Sequence, residues 1–159
     1  MRVEILAVGR LKDEAEAAIV ARYQKRFDQT GRTCGLGPLS ISEFPESRAT
    51  VAAERKVDEA GRLLKAAGPA SLLVLEVSGR PLTSEAFAAH LRTLADAATK
   101  SCAFLIGGPD GHGPAVLEAP GLKVSLGALT LPHGLARVVL AEQLYRAATI
   151  LTGHPYHRP

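Results

Sequence analysis

Cys102-Ala103-Phe104-Leu105-Ile106-Gly107-Gly108-Pro109-Asp110-Gly111-His112-Gly113 decides the fold class. Five apolar residues run without a polar break and stop at paired glycines, which predicts a strand ending in a turn. A strand with one wetted face would alternate apolar and polar residues. A continuous run belongs to a strand covered on both faces, the usual state of a parallel sheet. Residues 3–8 and 71–77 (Ser-Leu-Leu-Val-Leu-Glu-Val) read the same way, and 39–44 and 122–126 are weaker strands. Helical patterns fill the intervals at 12–29, 49–67, 83–99 and 133–152, with a short helix after Pro114. In the second of these the Glu, Lys and Arg residues read as exposed. Gly68-Pro69 ends it, and Gly153 is placed to cap the last helix. The expectation is an α/β fold, a mostly parallel sheet with helices on both faces, built as one domain over 1–159.

Composition narrows the class. Of 159 residues 47% are hydrophobic, yet there is no Trp and only four Phe and three Tyr, so Val, Leu, Ile and Ala must build the core. Nineteen basic residues against 16 acidic ones leave a modest positive charge, compatible with a polyanionic partner such as RNA but not diagnostic of one. Cys34 and Cys102 lack metal-ligand spacing; Cys102 opens an apolar run and reads as a buried thiol in a reducing compartment. Glu4 and Gly9 interrupt the N-terminal apolar run too early for a signal peptide. No apolar stretch approaches the ~18 residues that a membrane span requires. The expected setting is the cytoplasm, with no membrane partner and no metal.

Open parallel sheets bind ligands beyond the carboxyl ends of their strands, so the loops after Val77, Ile106 and Leu126 are the places to look. In the first glycine loop, Gly107, Gly108, Gly111 and Gly113 would let backbone approach a ligand closely, unless the segment is only a wide surface turn. No Lys-Ser/Thr follows and the spacing misses the dinucleotide fingerprint, which argues against a phosphate loop. Leu126-Gly127-Ala128-Leu129-Thr130-Leu131-Pro132-His133 offers backbone groups between apolar walls. That suits an uncharged aromatic ring such as adenine, although a plain crossover has the same composition. In the last helix Glu142, Gln143, Arg146 and Thr149 share one side, with Glu142 and Arg146 spaced as a helix-surface pair. Arg137 lies opposite, among Leu140, Ala141, Leu144, Ala148 and Leu151, where it must snorkel, find a partner or border a pocket. In the tail, His154 and His157 make a poor metal site. Tyr156 can anchor the segment, while Pro155 and Pro159 lower the cost of ordering it.

Ile106-Gly107-Gly108-Pro109-Asp110-Gly111, Leu129-Thr130-Leu131-Pro132-His133, Arg137 through Ala147 and His154-Pro155-Tyr156-His157 together resemble one family, the bacterial ribosomal RNA large subunit methyltransferase H family of the SPOUT class. The opening Ile5-Leu6-Ala7-Val8-Gly9-Arg10-Leu11-Lys12 resembles it too; residues 34–48 fit least well. The resemblance implies an S-adenosyl-L-methionine-dependent homodimer that methylates N3 of a pseudouridine in 23S rRNA on the assembled ribosome. It implies a C-terminal trefoil knot over about 71–159, which periodicity does not reveal and the general rule disfavours. By motif matching, the methyl donor would meet Leu75, Gly107, Leu126, Gly127, Ala128, Leu129, Thr130 and Leu131.

Methylation of a ring nitrogen needs in-line alignment and removal of a weakly acidic proton. His157 is the candidate acceptor, with Tyr156 positioning the base and His133 as the alternative. Arg137 is the candidate for stabilising charge on uracil oxygens or gripping a phosphate, and Glu142 for orienting an arginine. Arg22, Lys25 and Arg26 form either a solvated helix face or a contact to rRNA phosphates. A noncatalytic RNA-binding dimer would use that surface without the cofactor loops. A doubly wound oxidoreductase would need a glycine fingerprint after the first strand, which Val8-Gly9-Arg10-Leu11 does not supply.

Overall fold

A computed structural model describes residues 1–158; Pro159, expected to stiffen the tail, lies outside the described residues. The strands are β1 (Arg2–Val8), β2 (Leu39–Phe44), β3 (Ser71–Pro81), β4 (Ser101–Ile106) and β5 (Leu122–Ser125). They form one five-stranded sheet in the order β2-β1-β4-β3-β5, with every pairing parallel. The helices are α1 (Glu14–Gly31), α2 (Ala52–Ala67), α3 (Ser84–Asp96), α4 (Pro114–Glu118) and α5 (His133–Thr152), and a 3₁₀ turn (Arg32–Cys34) follows α1.

The apolar runs are sorted by the strand's two-residue period. Val3, Ile5 and Ala7 of β1 and Cys102, Phe104 and Ile106 of β4 join one core with Phe27 of α1, Leu91 of α3 and Leu140 and Leu144 of α5. The alternate residues Leu6, Val8, Ala103 and Leu105 join a second core with Ala60, Leu63 and Ala67 of α2 and Val116 of α4. The register matches residue to residue, with Ile5 opposite Phe104 and Ala7 opposite Ile106. All six residues of β4 are buried, which is why its sequence carries no polar interruption. The expected sheet with helices on both faces is the one the chain forms. Cys34 and Cys102 are free and buried, and burial pushes the Cys102 thiol up to about 12.

Element ends differ where a cap decides them. α1 starts at Glu14, later than residue 12, because Asp13 Oδ1 accepts from the Glu16 amide at 2.9 Å. α3 stops at Asp96, short of residue 99, where Ala98 turns left-handed at φ 56°. Gly153 takes the expected left-handed cap at φ 68°, and the His154 amide donates to the Thr149 carbonyl at 2.9 Å. β3 outlasts its apolar run by continuing through Ser78-Gly79-Arg80-Pro81. Gly79 permits it: a Cβ there would lie 2.8 Å from backbone atoms of Lys123 and Val124. The β3–β5 register shifts between Leu75 and Arg80, so both residues face Val124 across a bulge. One burial expectation is corrected: Glu59 of α2 is buried at 3% exposure.

The sheet positions a site at one edge. Because the strands are parallel, the carboxyl ends of β3, β4 and β5 open at the same end, and the chain crosses β3 between β4 and β5.

Candidate active site

Two strand-end loops, after β4 and β5, and the bulged stretch of β3 converge on a single cavity of about 520 Å³; the loop expected after Val77 is strand here. Leu75 contributes from β3 and Gly107 from the turn after β4. Leu126, Gly127, Leu129, Thr130 and Leu131 contribute from the loop after β5, and His133 from the first turn of α5. Of the expected donor contacts only Ala128 is absent from the lining; it sits exposed in the same loop. A smaller hollow of about 330 Å³ shares Leu75, Leu126 and Gly127 and is flanked by Ser84 of α3 and Gln143 of α5.

The glycines stand where a side chain would be tight. A Cβ at Gly107 would lie 3.0 Å from the Gly111 carbonyl carbon, and one at Gly108 would lie 2.9 Å from Glu59 Oε2. Gly111 closes the turn by donating its amide to the Gly108 carbonyl at 2.9 Å.

His112 links two walls of the cavity, a role the sequence reading did not assign. Its Nε2 lies 3.0 Å from the Leu75 carbonyl oxygen. Burial lowers its pKa, so the ring is neutral, and the carbonyl partner places the proton on Nε2 as donor. Nδ1 is buried without a partner.

Arg137 does not snorkel and does not line the cavity. It is 1% exposed, and its Nη2 donates to the carbonyls of Val8 at 3.0 Å and Gly9 at 2.7 Å. Nη1 donates to Glu43 Oε1 at 2.6 Å. Desolvation lowers its pKa and Glu43 opposes that shift, so the pair holds a buried cation at the carboxyl end of β1. Glu43 also accepts from the Leu11 amide at 2.9 Å. A Cβ on Gly9 would lie 3.7 Å from Arg137 Nη2 and 3.4 Å from His133 Nε2, which places His133 beside this clamp as well as on the cavity.

The tail is docked. The Tyr156 hydroxyl donates to Glu142 Oε1 at 2.9 Å and lies 3.4 Å from the Tyr23 hydroxyl. Burial, and then the bonds to Tyr23 and Glu142, raise its pKa well above the ordinary tyrosine value, so it acts as a neutral donor. Glu142 also accepts from Arg146 Nε at 3.0 Å and Nη2 at 2.7 Å, and Arg146 lies 4.9 Å over the Tyr156 ring. The Glu142–Arg146 pair is thus one part of a larger network. His157 Nε2 lies 2.9 Å from Glu85 Oε1. Neither Tyr156 nor His157 lines the cavity formed by its own chain's loops. Arg22 and Arg26 lie over the rings of Tyr23 and Tyr145 at 5.3 to 5.9 Å, and Lys25 beside them is exposed.

Residues 1–157 match the sequence profile described as "Predicted SPOUT methyltransferase". The chain belongs to the SPOUT methyltransferase family. It is 48% identical over 159 residues to the "Ribosomal RNA large subunit methyltransferase H" of Brucella anthropi, covering 99% of each chain. To the protein of the same name from Brucella abortus (strain S19) it is 46% identical over 168 residues, again covering 99% of each. A solved structure, "Crystal Structure of Probable Methyltransferase from Bordetella pertussis Tohama I", superposes with a TM-score of 0.55 over 92% of this chain and 96% of that one. At 20% identity that likeness is one of fold.

The site of this SPOUT methyltransferase chain fits S-adenosyl-L-methionine. The cavity has the size usual for small-molecule sites, roughly 300–1,000 Å³. Leu75, Leu126 and Leu131 supply apolar walls for adenine, and loop backbone supplies polar groups. Among the described residues no group of three or more His, Cys, Asp or Glu is arranged to hold a metal, and no helix is long and apolar enough to cross a membrane.

Proposed function

We propose that the protein is an S-adenosyl-L-methionine-dependent methyltransferase of large-subunit ribosomal RNA, modifying N3 of a pseudouridine in 23S rRNA on the assembled ribosome in the cytoplasm. The observation that carries this reading is the convergence of the loops after β4 and β5 with the β3 bulge on one cavity of donor size and chemistry. The printed names of relatives that match over their full length support the choice of RNA. Membership of the SPOUT family supports a trefoil knot within about 71–159.

When bound, S-adenosyl-L-methionine supplies an electrophilic methyl group. The chain's residues hold and orient. Gly107 and the loop from Leu126 to Leu131 grip adenosine through backbone, Leu75 closes the apolar wall, and Ala128, outside the cavity lining, carries the loop between Gly127 and Leu129. His157 accepts the uracil N3 proton, with His133 at the cavity rim as the alternative acceptor. Tyr156, kept protonated, and Glu142 fix the tail, and Arg137 acts from behind by fixing the end of β1 beside His133.

Tyr156 and His157 do not reach their own chain's cavity, and this supports a homodimer in which the second subunit's tail completes each site. α5 presents Leu135, 43% exposed, and the adjoining loop presents Leu129, 80% exposed. Large apolar side chains left in water beside a site form a surface that a partner can cover. Arg22, Lys25 and Arg26 add basic surface for rRNA phosphates.

Incubation of ribosomes lacking the modification with labelled donor, followed by mapping of the product base, tests the reading. The expected product is a single N3-methylated pseudouridine in 23S rRNA. Label in protein, in another nucleotide position, or nowhere would overturn it. The His157→Ala and His133→Ala variants are expected to differ, with His157→Ala losing at least about a hundredfold in rate. Full rates in both would remove a histidine base.

A further inference from the structure

α2 lies outside the cavity, yet it holds the glycine turn that forms the cavity's floor. Asp110 stands at the tip of that turn, between Gly108 and Gly111. Arg55 grips it with a two-pronged fork, Nε to Oδ2 at 2.7 Å and Nη2 to Oδ1 at 3.1 Å. The remaining nitrogen, Nη1, donates to the carbonyls of Ala49 at 3.1 Å and Thr50 at 2.9 Å. One guanidinium therefore ties the turn, α2 and the segment leading into α2. The pair acts on its own chemistry, since each partner's charged form is favoured by the other.

One helical turn further on, Glu59 is 3% exposed. Its Oε1 accepts from the Ser47 amide at 2.9 Å, while Oε2 is buried without a partner and lies 2.9 Å from where a Cβ on Gly108 would stand. At the far end of the loop a Cβ on Gly113 would overlap the Lys56 carbonyl. Arg55, Lys56 and Glu59 thus form a continuous edge of α2 against residues 108–113.

We propose that Arg55 and Glu59 are positioning residues for the methyl donor: they brace the Gly107–Gly111 turn in its binding shape through Asp110 and Gly108. A turn with three glycines in five residues samples many conformations when free. Fixing it before binding removes an ordering cost that the ligand would otherwise bear. The inference rests on the donor-pocket reading given above.

Calorimetry with S-adenosyl-L-methionine on the intact protein separates the two. If the wild type gives no binding heat, the donor-pocket reading fails and the brace with it. If the wild type binds, Arg55→Ala and Asp110→Ala are each expected to raise the donor Kd about tenfold, and the double variant no more than either alone. Glu59→Gln, which keeps volume and removes charge, is expected to weaken binding in the same direction. The turnover rate at saturating donor should stay within about twofold, because the braced turn affects binding and not the acceptor base. Arg62→Ala, on the same helix but bonded to Asp58 and the Pro45 carbonyl instead, should leave Kd unchanged. Should Arg55→Ala or Asp110→Ala fold poorly, Arg55→Lys and Asp110→Asn replace them with the same expectation at smaller size. A change below about threefold in either single variant, or losses that multiply in the double, overturns the brace.

Discussion

At the scale of single residues, Arg137 shows how a side chain suited to substrate contact can be committed to architecture. Its two terminal nitrogens are held by two carbonyls at the end of β1 and by Glu43, while Nε is buried without a partner. Removing Glu43 takes away the one carboxylate bonded to the buried cation, leaving two carbonyls and the unbonded charge of Glu16. Glu43→Ala is therefore expected to lower stability by about 3 kcal/mol, read as a lower urea midpoint at unchanged slope. His112 gives the second prediction. Its pKa is lowered in the fold by burial, so the unfolded chain binds a proton that the folded chain refuses. His112 stabilises fully above the unfolded value of about 6.5, and that stability is lost as pH falls below it. The melting temperature should drop on acidification from neutral pH, and His112→Gln should flatten that drop. His90, also lowered by burial, sustains the remainder. From the sequence Arg137 was recognisable as a residue in difficulty, because it interrupts an apolar stripe. Its partner was not, since Glu43 lies ninety-four positions away along the chain. Glu59 carried a similar signal, standing one position before Ala60 and four before Leu63 on the buried face of α2.

At the scale of elements, strands were legible wherever burial was double-sided. β4 and the core of β1 declare themselves because neither face tolerates a polar side chain. The second half of β3 did not, because its Ser, Gly, Arg and Pro are shaped by close backbone approach to β5 instead of by burial. Helix ends followed their caps more faithfully than their periodicity. The last helix and its tail act as one unit: Gly153 reverses the chain and Tyr156 returns to Glu142. Tyr156→Phe removes one hydroxyl donor to a carboxylate and is expected to cost about 1–2 kcal/mol. Hydrogen exchange at residues 154–158 should rise in that variant while the amides of β4 stay protected. Gly153→Ala forces a side chain into the left-handed region and should loosen the same segment by about 1 kcal/mol.

At the scale of the molecule, the site's parts come from distant points of the chain, and only the parallel sheet brings their loops to one end. The loops after β4 and β5 were legible as candidates because strand ends in parallel sheets are where ligands bind, whereas β3 continues past Val77 and contributes through its bulge. Their convergence was not, since nothing local encodes the order β2-β1-β4-β3-β5. If the second subunit's tail completes each site, two defective proteins can repair one another. Mixing a Gly107→Trp variant with a His157→Ala variant, under conditions that exchange subunits, should restore up to about a quarter of wild-type methylation. Sedimentation should show a dimer for the wild type and a shift toward monomer for Leu135→Asp. The two cysteines offer a different use. Both thiols are enclosed, one in the middle of the sheet and one under the turn after α1, so a thiol-reactive dye can touch them only when the chain breathes open. The protein carries its own clock for transient opening, with one hand on the central strand and the other near the first helix.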